Sequence, residues 1–197
     1  MHRRTAVVVG ALLAVPTLAA CGADGLTPGT AAVLDGRRIP VAAVEARVAE
    51  LREVAGGASA DARRPPDGLV RRAVADLVLD AVVARALADR GLAVGGAEVA
   101  AARTAAQDRY GGAGPLARVL AARGVAGPGV DDYFRRELSI RRLAAATGQD
   151  AATPAGDHTV RLALAGAALH LRVNPRYGTW NADRVALLPD TPPWLAG

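Results

Sequence analysis

The chain has 197 residues and a formal net charge of +5, and 51% of its residues are hydrophobic but only 3% aromatic. This length suits one domain, or one domain with a tail. All 24 basic residues are arginine, and they are interspersed with 19 acidic residues. This pattern predicts a solvated charged surface and excludes a basic tail. Leu, Val and Ala must form the core, which favours a helical protein.

The first 20 residues are typical of an export signal. Arg3 and Arg4 precede an apolar stretch over residues 6–20, which ends in the small residues Ala19 and Ala20. This stretch is shorter than the roughly 20 residues that a transmembrane helix needs. A cleaved signal is therefore favoured over a permanent transmembrane helix.

The residues Leu18, Ala19, Ala20 and Cys21 resemble the lipobox of bacterial lipoproteins. That resemblance implies that Cys21 receives a diacylglycerol and becomes the first residue of the mature chain. Cys21 is the only cysteine, so it has no intramolecular disulfide partner, and lipidation accounts for it. The alternative is an ordinary cleaved signal that happens to be followed by cysteine. We expect a lipid-anchored protein at the extracytoplasmic face of the bacterial cell membrane, close to anionic headgroups and without nucleic acid as a partner.

Four segments are predicted along the chain. Residues 1–20 form the signal peptide, and residues 21–30, rich in Gly, Thr and Pro, form a flexible tether. Residues 31–174 form the helical domain. Residues 175–197, which contain both tryptophans, are expected to be an irregular tail.

The helical domain is predicted to begin with two short extended pieces around an Asp35-Gly36 turn. Six helices follow, and the second is apolar over so much of its surface that it should be central. Tyr110 is expected to face inward at the end of the third helix. Residues 148–157 are predicted to form a polar linker, and residues 171–174 a strand that ends at Pro175. The helices are predicted at about residues 40–56, 69–90, 97–110 and 116–123, from a start just after Pro128-Gly129, and at 159–169.

The order of these parts resembles the N-terminal domain of SurA-type chaperones, which is also found around the isomerase unit of PrsA-type foldases. The resemblance covers 31 to about 143. Its features are an extended segment with Val33, Asp35, Gly36 and Ile39, helix ends at Gly91-Leu92-Ala93-Val94 and Arg123-Gly124-Val125, Glu98-Val99, Tyr133-Phe134-Arg135-Arg136-Glu137-Leu138, and a closing segment from Val173 to Trp180.

The resemblance implies a mainly α domain of about six helices, in which a short strand pair joins the N- and C-terminal segments. We therefore expect residues 32–35 to pair with residues 171–174. The chain departs from the family at two helix starts, where Pro40 with Ala43 and Gly95-Gly96 replace polar caps. These losses are expected to reduce stability without changing the fold.

SurA and PrsA proteins also carry parvulin prolyl isomerase domains. Only about 50 residues follow Leu143, which is at the bottom of the usual domain range, so we expect no isomerase and no enzyme. His158 and His170 are expected to be exposed or capping residues. Asp131 and Asp132 fit the role of acids at a helix N-terminus and not that of a catalytic pair. No catalytic, metal-ligating or cofactor-binding residue is assigned.

The expected function is therefore the non-catalytic binding of unfolded or nascent exported polypeptides by a chaperone-like lipoprotein. This activity requires no cofactor and no small-molecule substrate. Two alternatives remain open. One is an envelope lipoprotein that acts as a scaffold or structural protein for a specific membrane partner, which is consistent with a mature chain that lacks methionine. The other, a minor one, is a residual prolyl isomerase.

Overall fold

A computed structural model of the chain describes residues 26–54, 67–125, 127 and 129–189. Most of the elements in these ranges are helices, which confirms the predicted mainly α fold with short strands. In chain order, the elements are β1 (Thr30–Leu34), β2 (Arg37–Pro40), α1 (Val41–Val54), α2 (Asp67–Ala88), α3 (Gly96–Tyr110), α4 (Ala113–Ala122), α5 (Gly129–Ala145), α6 (Pro154–Ala167), β3 (Leu171–Val173), a short 3-10 helix (Pro175–Tyr177), β4 (Thr179–Asn181) and β5 (Ala186–Leu188).

Strand β1 lies at the centre of a three-stranded antiparallel sheet with the order β2-β1-β3. Asp35 and Gly36 connect β1 to β2 with φ angles of 47° and 78°. Two left-handed residues form a type I′ turn, as the Asp-Gly pair predicts. On its other side β1 pairs with β3, with Val33 opposite Arg172. The predicted joining of the N- and C-terminal segments is therefore confirmed.

Helix α2 is the central helix, as its apolar circumference predicts. Helices α1, α5 and α6 pack around it, and the sheet also contacts it. Each valine that is fully buried in this way contributes roughly 1.5–3 kcal/mol. Five α2 residues are completely inaccessible to solvent: Ala73, Val74, Val78, Val82 and Ala86.

A second, smaller hydrophobic cluster lies between α3, α4 and the first half of α5. It contains Val99 from α3, Leu116 and Leu120 from α4, and Phe134 from α5. Because α5 supplies Phe134 to this cluster and Leu143 to the main core, it connects the two.

Two local predictions were wrong. Tyr110 is 41% exposed, because it is the last residue of α3 and the chain turns away at Gly111. Helix α6 begins at Pro154, so four of the ten residues of the predicted linker are helical. The Thr153 hydroxyl accepts a hydrogen bond from the backbone N–H of Gly156 and so caps the helix. Pro154, in the first turn, has no backbone N–H that would need an acceptor.

The prediction of an irregular tail over residues 175–197 was also wrong in its first part. Up to Leu188 the chain forms the 3-10 helix and then an antiparallel β4-β5 hairpin. The 3-10 helix adds Tyr177 to the main core, and β5 adds Leu187. Strands of three residues are too short for an alternating pattern to be recognised. Gly178 permits this packing, because a Cβ there would lie 2.1 Å from the carbonyl oxygen of Leu188. Residues 190–197, including Trp194, lie outside the described residues.

Candidate functional site

A groove of about 300 Å3 lies between α2 and α5, and the loop that connects α2 to α3 closes one end. We call it the α2–α5 groove. One wall is apolar and the other is polar. The apolar wall consists of Val83, Ala84, Leu87, Leu92 and Val94, and the polar wall consists of Asp80, Asp132, Arg135, Arg136 and Ser139.

The apolar wall depends on how α2 ends. Gly91 adopts a left-handed φ of 64°, and the backbone N–H of Leu92 donates to the carbonyl of Leu87 over 2.9 Å. This helix stop, which the Gly91-Leu92 pair predicts, folds the leucine back over the last turn. Leu92 therefore faces the groove beside Leu87.

Arg142 of α5 holds the loop at the end of the groove. Its guanidinium donates hydrogen bonds to the carbonyl of Ala93 and to the carboxylate of Glu98. Glu98 in turn accepts from the backbone N–H of Gly95 over 2.9 Å. The Arg142 bond, and then the Gly95 bond, lower the pKa of Glu98. The carboxylate of Glu98 thus binds the backbone N–H of the N-cap residue Gly95, and Arg142 holds the loop before α3 against α5.

The polar wall contains a half-buried ion pair between α2 and α5. The Nε of Arg136 donates to Oδ1 of Asp80 over 2.7 Å, and its Nη1 lies 4.0 Å from Oδ1 of Asp76. Burial raises the pKa of Asp80, and its hydrogen bond with Arg136 offsets only part of this effect. Burial also lowers the pKa of Arg136, but its carboxylate neighbours outweigh burial and leave that pKa raised.

Asp132 connects the polar wall to α1. Its two oxygens accept hydrogen bonds from Arg47 of α1 and from Arg135, each over 2.9 Å. Gly129 makes room for this contact, since a Cβ there would lie 2.7 Å from Nη1 of Arg47. Asp131 instead forms an ion pair with Arg103 of α3. The two adjacent acids lie in the first turn of α5, as expected, and bind different helices.

The two histidines within the described residues lie away from the α2–α5 groove. His158 is exposed. The side chain of His170 is 78% exposed, and its Nδ1 lies 2.8 Å from Oδ1 of Asp35, which also forms an ion pair with Arg85. Both histidines are thus at the surface, as predicted. Across the described ranges, no group of three or more His, Cys, Asp or Glu residues is placed to hold a metal ion.

A second groove, of about 360 Å3, lies between the C-terminal end of α6, β3 and β4. We call it the α6–β4 groove. Leu169, just past α6, lines it and is 78% exposed. Trp180 of β4 also lines it, and its indole N–H is buried without a hydrogen-bond partner among the described atoms.

Sequence reasoning identified neither groove. Asp76 and Asp80 were assigned no role from the sequence, and Arg136 was named only as part of a resemblance. Two carboxylates spaced i, i+4 on an otherwise apolar helix were the available signal. The predicted lipidation site Cys21 and the lipobox residues Leu18, Ala19 and Ala20 lie outside the described residues. No helix within the described ranges is both long enough and apolar enough to cross a membrane.

Comparisons with protein-family models, curated proteins and solved structures found no match to this chain. The resemblance to SurA-type domains therefore stays a prediction from the sequence.

Proposed function

We propose that this protein is a lipid-anchored, extracytoplasmic, chaperone-like lipoprotein that binds unfolded exported polypeptides without catalysis. The observation that supports this proposal most directly is the α2–α5 groove, in which an apolar wall faces a charged wall. An exposed apolar side chain of an unfolded chain would be buried against Leu87 and Val94. The polar wall would interact with the backbone or with neighbouring polar groups of that chain.

The size of the α2–α5 groove sets the expected affinity. A volume of about 300 Å3 is at the lower limit of ligand pockets, so the groove accommodates one or two side chains at a time. Binding of each segment should be weak and reversible. A lipid anchor at Cys21 would compensate, because tethering keeps the groove concentrated near emerging polypeptides.

Binding in the α2–α5 groove is tested by blocking the groove with a bulky side chain at an exposed position. Ala84 is exposed at the surface of α2 and lines the groove, so Ala84→Trp should obstruct it without disturbing the core. Ala105→Trp, at an exposed position of α3 that lines no described pocket, is the matched control. The full chain is reconstituted in vesicles, which are sedimented with a reduced, carboxymethylated secretory protein that cannot refold.

We expect the original chain and Ala105→Trp to retain this unfolded protein, and Ala84→Trp to lose most of the binding. Equal retention by the two variants would exclude the α2–α5 groove as the site. The anchor is tested separately by comparing Cys21→Ser with the original chain in membrane and medium fractions. Equal release of both would contradict lipidation.

The scaffold alternative is favoured by the exposed leucines of α6 and its C-terminal end. Leu162 is 61% exposed and Leu169 is 78% exposed, and each offers an apolar contact to a fixed partner. Affinity purification from membranes separates the two functions. A single stoichiometric partner would support a scaffold, and many unfolded polypeptides would support the chaperone-like function.

A further inference from the structure

The α6–β4 groove has an apolar lining. Within the described part of the chain, no charged residue lines it. Ala165, Ala168 and Gly178 are small and leave space in the groove, and Leu169 at its edge is 78% exposed. A volume of about 360 Å3 is near the lower limit of ligand pockets, so the groove accommodates one large side chain and part of a neighbour. These properties favour a large apolar side chain as the occupant.

Strand β5 leads the chain to the edge of this groove. It runs antiparallel to β4, with Leu188 opposite Thr179. Thr179 and Gly178 both line the groove, and a Cβ on Gly178 would lie 2.1 Å from the carbonyl oxygen of Leu188. Because a strand leaves an antiparallel pair at the end where its partner begins, the chain that follows Leu188 starts beside the groove.

The segment that follows β5 supplies a side chain of the right kind. Residues 190–197, which lie outside the described residues, have the sequence Asp-Thr-Pro-Pro-Trp-Leu-Ala-Gly, in which Trp194 and Leu195 are the only large apolar residues. Burying a tryptophan side chain removes about 150–250 Å2 from water. Pro192 and Pro193 restrict the backbone just before Trp194, so less conformational entropy is lost when this segment is held in one place.

Chain length allows Trp194 to reach the whole groove. Trp194 follows Leu188 by six residues, and an extended chain of that length spans at most about 22 Å. A connection this short gives an effective concentration on the order of millimolar. Even a weak contact between Trp194 and the groove would therefore be populated within one chain.

We propose that Trp194 docks in the α6–β4 groove of its own chain. The indole ring lies against Leu169 and Leu171, and the two tryptophans of the chain come close together. A partner protein that binds this groove first has to displace Trp194. This docking does not depend on a lipid anchor or on polypeptide binding in the α2–α5 groove, so both would stand if it were refuted.

Trp194 reports its own environment once Trp180 is replaced, because the chain has only these two tryptophans. The full chain carrying Trp180→Phe keeps an aromatic ring on β4. The wavelength of its fluorescence emission and the quenching of that fluorescence by acrylamide are measured at several protein concentrations. Circular dichroism checks that each variant is folded.

We expect Trp194 to emit at a shorter wavelength and to be quenched less than in the same chain unfolded in urea, and dilution should change neither result. Leu169→Asp should lower the ratio of docked to undocked Trp194 by about tenfold, as expected for losing much of one buried leucine. Leu162→Asp is the matched control, because Leu162 is exposed on α6 but does not line this groove. It should leave Trp194 protected.

A second measurement keeps both tryptophans, in case Trp180→Phe alters the groove. In nuclear magnetic resonance spectra of the otherwise unchanged chain, we expect nuclear Overhauser effects between the ring of Trp194 and the methyl groups of Leu169. These effects should disappear in Leu169→Ala, while the signals of Leu162 stay unchanged.

Two results would overturn the docking of Trp194. One is a Trp194 that is quenched as readily in the folded chain as in urea and shows no nuclear Overhauser effect to Leu169. The other is an equal effect of Leu162→Asp and Leu169→Asp on quenching. Protection that is lost on dilution would also overturn it, because the groove would then hold Trp194 from a second copy of the chain.

Discussion

The two glycines of α6 should respond in opposite ways to the same substitution. Gly156, in the first turn, is buried, and a Cβ there would lie 1.9 Å from the carbonyl oxygen of Asp150. Gly166, near the other end of α6, is exposed and would have no atom within 4 Å of its new Cβ. Neither residue has a positive φ, so backbone conformation does not distinguish them.

The magnitudes follow from these distances. At Gly156 the added carbon must move the backbone of Asp150 by more than 1 Å to reach even a 3.0 Å contact. Overpacking of this kind costs about 1–3 kcal/mol. At Gly166 only the entropy of the unfolded chain and helix propensity change, so alanine should stabilise the protein by about 0.5–1 kcal/mol.

Thermal unfolding of the purified full chain, followed by circular dichroism, measures both effects. At about 2–4 °C per kcal/mol for a chain of this size, Gly156→Ala should lower Tm by about 2–12 °C. Gly166→Ala should raise it by about 1–4 °C on the same scale. A Gly156→Ala protein as stable as the original would refute the close approach of α6 to the turn at residues 150–151.

Three further predictions concern the core, the α2–α5 groove and its closing loop. Leu143→Ala should lower the free energy of unfolding in urea by about 2–5 kcal/mol, and Leu143→Met by less than about 1.5 kcal/mol, because Leu143 is only 1% exposed. Similar losses for both variants would contradict the tight packing of Leu143. Because burial raises the pKa of Asp80 in the folded state, the stability that this carboxyl contributes is full below its unfolded-state pKa and is lost as pH rises through its folded-state pKa. Asp80→Asn should therefore remove a decline in the free energy of unfolding above about pH 4, and the same decline in both proteins would show that burial is not the dominant effect. Arg142→Gln should speed amide exchange at the start of α3, because the bonds to Ala93 and Glu98 are lost; Arg141→Gln, at a 70% exposed side chain, is the control and should not.

Local signals in the sequence were strong where a few adjacent residues determine the backbone. The Asp35-Gly36 turn and the helix stop at Gly91-Leu92 depend on left-handed φ angles that glycine adopts without strain. The near-continuous apolar surface of α2 likewise identified the central helix. These features could be predicted because their physical cause lies within one or two turns of chain.

The start of α6 was missed for a different reason. Thr153-Pro154 is a helix start, but the surrounding Gly, Asp and Thr residues also favour turns. What fixes α6 in the structure is the contact of Gly156 with Asp150 and the burial of Val160 and Leu164. The β4-β5 hairpin was missed similarly, because its three-residue strands gain stability from Tyr177 and Leu187 in the core and not from local propensity.

The sequence by itself determined the helical class, the central helix and the Asp-Gly turn, whereas the pairing of β1 with β3 was expected only from the resemblance to SurA-type domains. Only the tertiary structure decided where the two grooves lie, because each needs side chains from segments tens of residues apart. Asp80 and Arg136 are 56 positions apart in the chain, and their pairing and partial burial exist only once α2 and α5 pack. The same holds for the position of β1 beside the α6–β4 groove, since β3 brings that groove to the start of the domain.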